Sequence, residues 1–356
     1  MKRIRYTPVG IEISGQFVRM LQLAQRSTQF RLHAWSVFPR LDSKSDIAQE
    51  AVRIASVFDR RGFAGREIAF CLPDESVLSA VIDLPPVKSG APVASIAGAE
   101  IGRMFKHAPD ALELTHWELP MTARQPGAVA TMVVACPHVT AQPLIDAFES
   151  NDLRLRAIEP RCTALVRACA VSGGVGGGGG DDSIEIILSL GWTQSRFYAV
   201  CSGLIVLERV VENADLETLH RVVAGTIGVD TDLAAIALKD ALRAERELLA
   251  DPDAAREVQE HVRHYTETLT TEALTALSYL SRRFAGRKPS RLLVVCDGNE
   301  APDLSKEVAS RLTLEARVCG LGELSIEGLE DVEPSSRRAL VAVAGVCLNH
   351  AGGESW

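Results

Sequence analysis

A run of glycines divides this chain near its middle. Residues 172–180 contain seven glycines, one serine and one valine, and two aspartates follow at 181 and 182. Such a stretch cannot bury much apolar surface, so residues 173–182 are predicted to be a flexible linker. A central linker in a chain of 356 residues predicts two lobes, each with a hydrophobic core of its own.

The same run contains a G-x-G-x-x-G spacing at Gly174, Gly176 and Gly179. A dinucleotide-binding loop with that spacing follows a strand and opens a helix. Here a predicted helix precedes the glycines and a predicted strand follows them, and the two aspartates would repel a phosphate. We therefore interpret the run as a linker and not as a phosphate-binding loop.

Each half of the chain begins with a similar pattern of strand, polar turn and strand, at residues 9–23 and 185–200. Aligning Glu12 with Ser189 also aligns Arg19 with Arg196. The pattern predicts a β-hairpin that is repeated once in each half. Two unrelated hairpins that happen to look alike are the alternative.

Composition and charge exclude several classes of protein. The net charge of -8 argues against a nucleic-acid partner, because phosphate binding requires a basic surface. No segment approaches the roughly 20 apolar residues that span a bilayer, and the N-terminus lacks the apolar core of a signal peptide. The 8 cysteines form no C-x-x-C pair, so they indicate buried thiols in a reducing compartment and no metal site. We therefore expect a soluble cytoplasmic protein without direct membrane insertion.

Strand and helix patterns fill the rest of the chain. Residues 67–151 alternate strands and helices and are predicted to form an inserted α+β subdomain, whereas residues 213–290 are strongly helical. A strand at 291–296 then meets Asp297-Gly298-Asn299. Two hairpins with a late strand-glycine-helix segment have the layout of the actin-like nucleotide-binding fold. In that layout tight turns direct N–H groups and hydroxyls at phosphates, and a strand-end acid holds Mg²⁺ through water.

An ordered series of motifs resembles the PilM family of type IV pilus assembly proteins. VGIEISGQFVRMLQL at residues 9–23 resembles that family's VGIDIGxxxVKxxxL, and Ile158-Glu159-Pro160 resembles the start of its IEP(x)nALxRA helix. Four further segments resemble family motifs in the same order, at residues 67–86, 219–240, 274–296 and 304–318. The likeness covers residues 8–349.

The resemblance implies an α/β, actin-like two-lobe fold with ribonuclease H-like halves and an inserted subdomain of the FtsA/PilM type. The implied first lobe is 1–66, 152–172 and 335–356, the insert is 67–151, and the second lobe is 183–334. The resemblance also implies a cytoplasmic protein, peripheral to the inner membrane, that binds the N-terminal cytoplasmic tail of a PilN-like inner-membrane protein. Other components of a pilus or secretion machine are implied partners, and family members usually hold ATP between the lobes.

The residues that the resemblance places in the nucleotide cleft are Glu12, Ser14, Gly15, Gln16, Ser189, Gly191, Thr193, Lys239, Gly298 and Asn299. Four of the family's cleft motifs are altered here. Glu12-Ile13-Ser14 replaces D-x-G, Ser189 replaces the second aspartate, Asp297 replaces a glycine, and Ile236 replaces the glutamate of A-E-x-x-K.

The altered motifs predict a weak or lost site for Mg-ATP, since one carboxylate is missing and Asp297 would repel phosphate. We expect a scaffold without ATPase activity and with no resident cofactor or metal. The alternatives are an active PilM-type ATPase that binds and hydrolyses ATP, an FtsA-like filament, and a cytoplasmic component of a type II secretion system.

Overall fold

The chain forms two large sheets of matching topology and a third, smaller sheet. The computed structural model describes residues 4–41, 46–121, 123–171, 183–243, 252–284, 289–296 and 301–350. The predicted linker at 173–182 lies outside these residues. The strands are β1 (Arg5–Tyr6), β2 (Val9–Ile13), β3 (Phe17–Arg26), β4 (Gln29–Pro39), β5 (Glu67–Leu72), β6 (Leu78–Leu84), β7 (Leu112–Glu118), β8 (Val129–Pro137), β9 (Arg154–Pro160), β10 (Ile184–Leu190), β11 (Ser195–Cys201), β12 (Leu204–Val211), β13 (Pro289–Cys296), β14 (Glu315–Val318) and β15 (Ile326–Glu327). The helices are α1 (Ile47–Arg61), α2 (Val93–Phe105), α3 (His138–Glu149), α4 (Arg161–Val171), α5 (Leu216–Ile227), α6 (Thr231–Arg243), α7 (Pro252–Arg283), α8 (Ala301–Leu312), α9 (Pro334–Ala339) and α10 (Val341–Asn349).

The two large sheets repeat one strand order. The first sheet runs β15-β4-β3-β2-β5-β9, with β1 paired to β3, and the second runs β12-β11-β10-β13-β14. In both, the first strand of an antiparallel hairpin lies at the centre of the sheet, and its other edge pairs with a later strand in parallel. Glu12 pairs with Arg19 in the first hairpin, and Ser189 pairs with Arg196 in the second. The alignment of the two halves made from the sequence is therefore confirmed by strand register.

The central strands are buried on both faces, which explains their nearly continuous apolar sequences. All five residues of β2 and all seven residues of β10 are buried. On one face of the first sheet, α1 and α3 contribute Ile54, Phe58 and Phe148 to a shared core. Asp46 caps the start of α1, and Gly62 ends it with a positive φ of 73°.

The other face of the first sheet is covered by α10, which packs against β2, β3 and β5 and also against α4. The close packing of α10 against α4 and the sheet depends on two glycines. A Cβ at Gly345 would lie 2.0 Å from the Ala164 carbonyl oxygen, and a Cβ at Gly10 would lie 2.6 Å from that of Val343. The small residues therefore let the helix backbones and the sheet approach closely. Among the described helices, none combines the length and the apolar character that a membrane span requires.

The inserted subdomain is smaller than the sequence predicted. Its sheet has the order β6-β8-β7, and α2 packs against one face of it. The predicted range began at residue 67, but β5 lies inside the first sheet between β2 and β9. The range also ended at 151, but α3 packs on α1. Likewise β15, predicted in the second lobe, pairs with β4 of the first sheet. Strand pairing over long distances in the sequence decides which sheet each of these elements joins, and a local sequence pattern does not contain that information.

The helical region of the second lobe consists of α5, α6 and α7, which pack on one another. Asp215 caps α5 by accepting a hydrogen bond from the Thr218 amide at 2.7 Å. Gly228 ends that helix with a positive φ of 70°. The Tyr265 hydroxyl on α7 donates to the Ala214 carbonyl at 3.2 Å, which holds the long helix against the start of α5.

Candidate functional site

The ends of the two hairpins meet through one buried arginine. Arg161 is the first residue of α4 and is 6% exposed. Its Nε donates to Oε1 of Glu12 at 2.8 Å, and its Nη1 donates to the Ser189 hydroxyl at 2.5 Å. The same Nη1 lies 3.6 Å from Oδ2 of Asp74, which is also buried. The predicted cleft residues Glu12 and Ser189 therefore do lie close together, but a guanidinium group of the chain itself lies between them.

A second arginine occupies the first hairpin. Arg19, which is 1% exposed, places Nη1 at 3.3 Å from Oε2 of Glu12 and also hydrogen-bonds the Ser14 hydroxyl. Both carboxylate oxygens of Glu12 are thus engaged by guanidinium groups. The positive charges of Arg19 and Arg161 are balanced by Glu12 and Asp74, so the buried cluster is neutral. A magnesium ion would have to displace these partners to reach the carboxylate.

The turn of the second hairpin packs directly onto the turn of the first. A Cβ built on Gly15 would lie 2.2 Å from Cδ1 of Trp192, so the indole ring covers this glycine. On its other side the Trp192 ring lies edge-on to His220, with ring centroids 5.0 Å apart. The Trp192 side chain thus lies between the first turn and His220 of α5.

Backbone groups near the second turn are also engaged. The Leu216 and Glu217 amides, at the start of α5, donate to the carbonyls of Gly191 and Trp192 at 3.1 Å and 2.9 Å. The turn itself requires glycine, since a Cβ at Gly191 would lie 2.3 Å from the Gln194 carbonyl oxygen. These N–H groups would otherwise be natural ligands for an anion at a helix N-terminus.

The remaining predicted cleft residues are less central. The Thr193 side chain is exposed, and its hydroxyl lies 3.4 Å from a carboxylate oxygen of Glu75. The backbone carbonyl of Gln16 accepts a hydrogen bond from the Arg40 amide at 2.8 Å. Lys239 lies on α6, and its side chain is outside the described part of the chain, as are Gly298 and Asn299. The structure thus brings Glu12, Ser14, Gly15, Ser189 and Gly191 together at one place between the lobes.

A buried polar cluster beside Arg161 joins the start of the insert to the second sheet. The Tyr198 hydroxyl donates to Oδ2 of Asp74 at 2.6 Å, and Arg196 donates to the Asp74 carbonyl at 2.9 Å. Arg196 also pairs with Glu208 on β12. Burial raises the pKa of the Tyr198 hydroxyl well above its usual value, and the Asp74 charge raises it further. Burial likewise raises the pKa of the Glu208 carboxyl. This cluster holds the lobes and the insert in one arrangement.

Sequence reasoning did not single out Asp74, Arg161, Trp192 or Tyr198. One signal was present for two of them. Arg161 is the first residue of a mostly apolar helix, and Trp192 stands in a short polar turn beside a glycine. Both are unusual placements. No group of three or more histidine, cysteine, aspartate or glutamate side chains that could hold a metal ion occurs in the described residues.

A groove with a volume of about 810 Å³ lies between the insert and the first lobe. It is bounded by β7 and β8, by α3 and by β9. Among the described strands, β7 and β9 are each at the edge of a sheet, and residues of both line this groove. The floor is apolar, with residues such as Leu114, Ile145 and Ile158, and Glu113, Glu149 and Arg156 add charge.

Comparisons with known proteins agree on the fold. No protein-family model and no curated protein matches the sequence. The structure is similar to a PilM-PilN type IV pilus biogenesis complex, with a TM-score of 0.76 and 13% identity, covering 97% of this chain and 98% of the other. It is also similar to MreB5 of Spiroplasma citri bound to ADP (TM-score 0.53, 8% identity, coverage 97% and 95%). A third likeness is to the ethanolamine utilization protein EutJ from Carboxydothermus hydrogenoformans (TM-score 0.51, 14% identity, coverage 97% and 90%). The actin-like fold predicted from the sequence, with PilM among the structures that share it, is confirmed.

Proposed function

We propose that this chain, which has the actin-like fold found in PilM, is an adaptor of a type IV pilus-like assembly machine and not a working ATPase. The observation that carries the proposal is the cleft between the two hairpins, where Arg161 binds Glu12 and Ser189 and Trp192 covers Gly15. The adaptor docks the N-terminal cytoplasmic tail of a PilN-like inner-membrane protein and is peripheral to the membrane through that partner.

The loss of Mg-ATP binding follows from charge and space. A triphosphate requires free N–H donors and a metal held by carboxylates. Here Glu12 is engaged by Arg19 and Arg161, and Ser189 has no carboxylate to offer. Opening the site would separate buried ion pairs, which costs about 3–5 kcal/mol when one partner is removed. The energy of ATP binding would first have to offset that cost.

The groove between the insert and the first lobe supports the partner assignment. Its apolar floor suits the hydrophobic side chains of a short peptide, and the free edges of β7 and β9 offer backbone hydrogen bonds to an extended segment. The volume of about 810 Å³ is in the range of ligand-binding cavities. The solved PilM-PilN complex shares this fold, which makes a PilN-like tail the first peptide to test.

Titration calorimetry with a synthetic peptide tests the proposal. The peptide has the sequence of the N-terminal cytoplasmic tail of a PilN-like protein. We expect saturable binding that is unchanged by millimolar Mg-ATP. Ile145→Asp places a charge on the groove floor and is expected to abolish binding, since a buried unpaired carboxylate is costly.

Val139→Asp is the matched control, because Val139 lies on the same helix but is 76% exposed and does not line the groove. Equal binding by the two variants would refute the groove as the docking site. A requirement for Mg-ATP would refute the nucleotide-independent adaptor and favour the active ATPase. Absence of peptide binding to the wild-type protein would refute the partner assignment.

A further inference from the structure

A second crevice lies at the opposite edge of the inserted sheet. In the order β6-β8-β7, strand β6 is hydrogen-bonded to β8 and to no other described strand. A crevice with a volume of about 470 Å³ runs beside this edge, formed by β6, by α2, by the loop between β7 and β8, and by the C-terminal end of α7. An exposed strand edge is a recurrent site for adding an extended peptide.

Successive side chains of β6 point to opposite faces of the inserted sheet. Leu78, Ile82 and Leu84 point towards α2 and pack with its core. The intervening side chains point to the opposite face, where Ser79 hydrogen-bonds Glu208 on β12. Val81 is on this face and is 40% exposed. An added strand would therefore lie between α2 on one side and the end of α7 on the other.

Positive charge is concentrated in this crevice although the chain as a whole is acidic. Arg103, Arg124 and Arg283 come from three different elements and all line it. The two carboxylates present are already engaged. Asp83 accepts the backbone amides of Arg124 and Gln125 at 2.7 Å and 2.9 Å, and Glu100 pairs with Arg103 at 2.7 Å.

The Arg124 guanidinium makes no hydrogen bond or ion pair with any described residue, and its side chain is exposed. Arg124 therefore places a positive charge, unpaired among the described residues, beside the outer edge of β6. Met104, 51% exposed on α2, adds apolar surface next to it. The combination fits a segment that alternates carboxylate and apolar side chains, because alternate residues of a strand point to opposite faces.

We propose that the β6 edge binds an extended acidic segment of a partner protein as a fourth strand of the inserted sheet. The backbone of that segment pairs with β6, and its carboxylates contact Arg124 and Arg103. This site is separate from the groove bounded by β7 and β9, so one adaptor holds two extended segments at opposite edges of the insert.

A labelled seven-residue peptide that alternates glutamate and valine tests the site by fluorescence anisotropy at low salt. We expect saturable binding that weakens as salt is added, because the charges are exposed. The lysine-valine counterpart is expected not to bind. A glutamate-valine peptide with methylated backbone nitrogens is also expected not to bind, because it cannot pair with a strand.

Charge reversal by Arg124→Glu is expected to lower the affinity for the acidic peptide at least tenfold. Arg26→Glu is the control, since Arg26 is exposed at the end of β3 and lines neither cavity. Ile145→Asp should leave this binding unchanged, which separates the site from the PilN-like groove. Equal affinity of the Arg124→Glu and Arg26→Glu variants, or equal binding of the methylated peptide, would refute the proposal. So would failure of the acidic peptide to bind the wild-type protein.

Discussion

Replacing Arg161 with methionine tests whether this residue holds the two lobes together. Methionine keeps most of the aliphatic volume, so the change removes mainly the guanidinium group. The wild-type side chain is 6% exposed and contacts Glu12, Ser189 and Asp74. Removing one partner of a buried ion pair costs about 3–5 kcal/mol. Glu12 keeps Arg19 and Asp74 keeps the Tyr198 hydroxyl, so we expect a loss near the lower limit, about 3 kcal/mol.

Urea unfolding followed by circular dichroism measures this loss as a lower midpoint. Arg26→Met is the control, and a surface change of this kind shifts stability by no more than about 0.5 kcal/mol. Glu12→Gln and Arg161→Met each remove the Glu12–Arg161 contact, so the double variant should be about 1–2 kcal/mol more stable than the sum of the two single losses. A loss for Arg161→Met no larger than that of the control, or strict additivity with Glu12→Gln, would refute the role assigned to Arg161.

Three further predictions concern contacts between elements. Gly15→Ala should destabilise the protein by about 1–3 kcal/mol, because the new methyl group would lie 2.2 Å from Trp192. Most of this loss should disappear when Trp192 is also replaced with alanine. An unchanged loss in the Trp192→Ala background would disprove the contact between the turns. Gly345→Ala should lower the urea midpoint by an amount equivalent to about 1–3 kcal/mol, because the added Cβ would lie 2.0 Å from the Ala164 carbonyl oxygen. Gly322→Ala is the control and should be nearly neutral, because a Cβ added there has no neighbouring atom within 4 Å. Burial raises the pKa of the Glu159 carboxyl above its ordinary value of 4.5, so its contribution to stability decreases as pH rises from the unfolded pKa through the folded one. Glu159→Gln should therefore flatten the dependence of the urea midpoint on pH above 4.5, and an unchanged slope would contradict this.

The duplicated hairpins could be predicted from the sequence because their information is local. The alternation around Ser14 and around Gly191 fixes two hairpins, and the pairing of Glu12 with Arg19 is repeated by Ser189 with Arg196. Register in a hairpin is set by its own turn and by its apolar face. The alignment of the two halves therefore needed no knowledge of the rest of the chain.

The side chains that fill the cleft could not be predicted in the same way. Arg161 is separated from Glu12 by 149 positions in the sequence, and no local pattern connects them. The same limit explains the insert boundary, because β5 has an ordinary strand pattern whichever sheet it joins. Trp192 was within reach of local reasoning, since it follows Gly191 directly, but its contact with Gly15 depends on how the lobes meet.

Calorimetric titration of Mg-ATP into the wild-type protein tests most directly whether the cleft between the hairpins binds nucleotide. Because Glu12 is held by two arginines and the tryptophan covers the first turn, we expect no saturable heat up to about millimolar nucleotide, the weak limit of ordinary small-molecule affinity. A micromolar dissociation constant that depends on magnesium would show that the cleft opens and binds nucleotide, and would contradict the assignment of this chain as a scaffold.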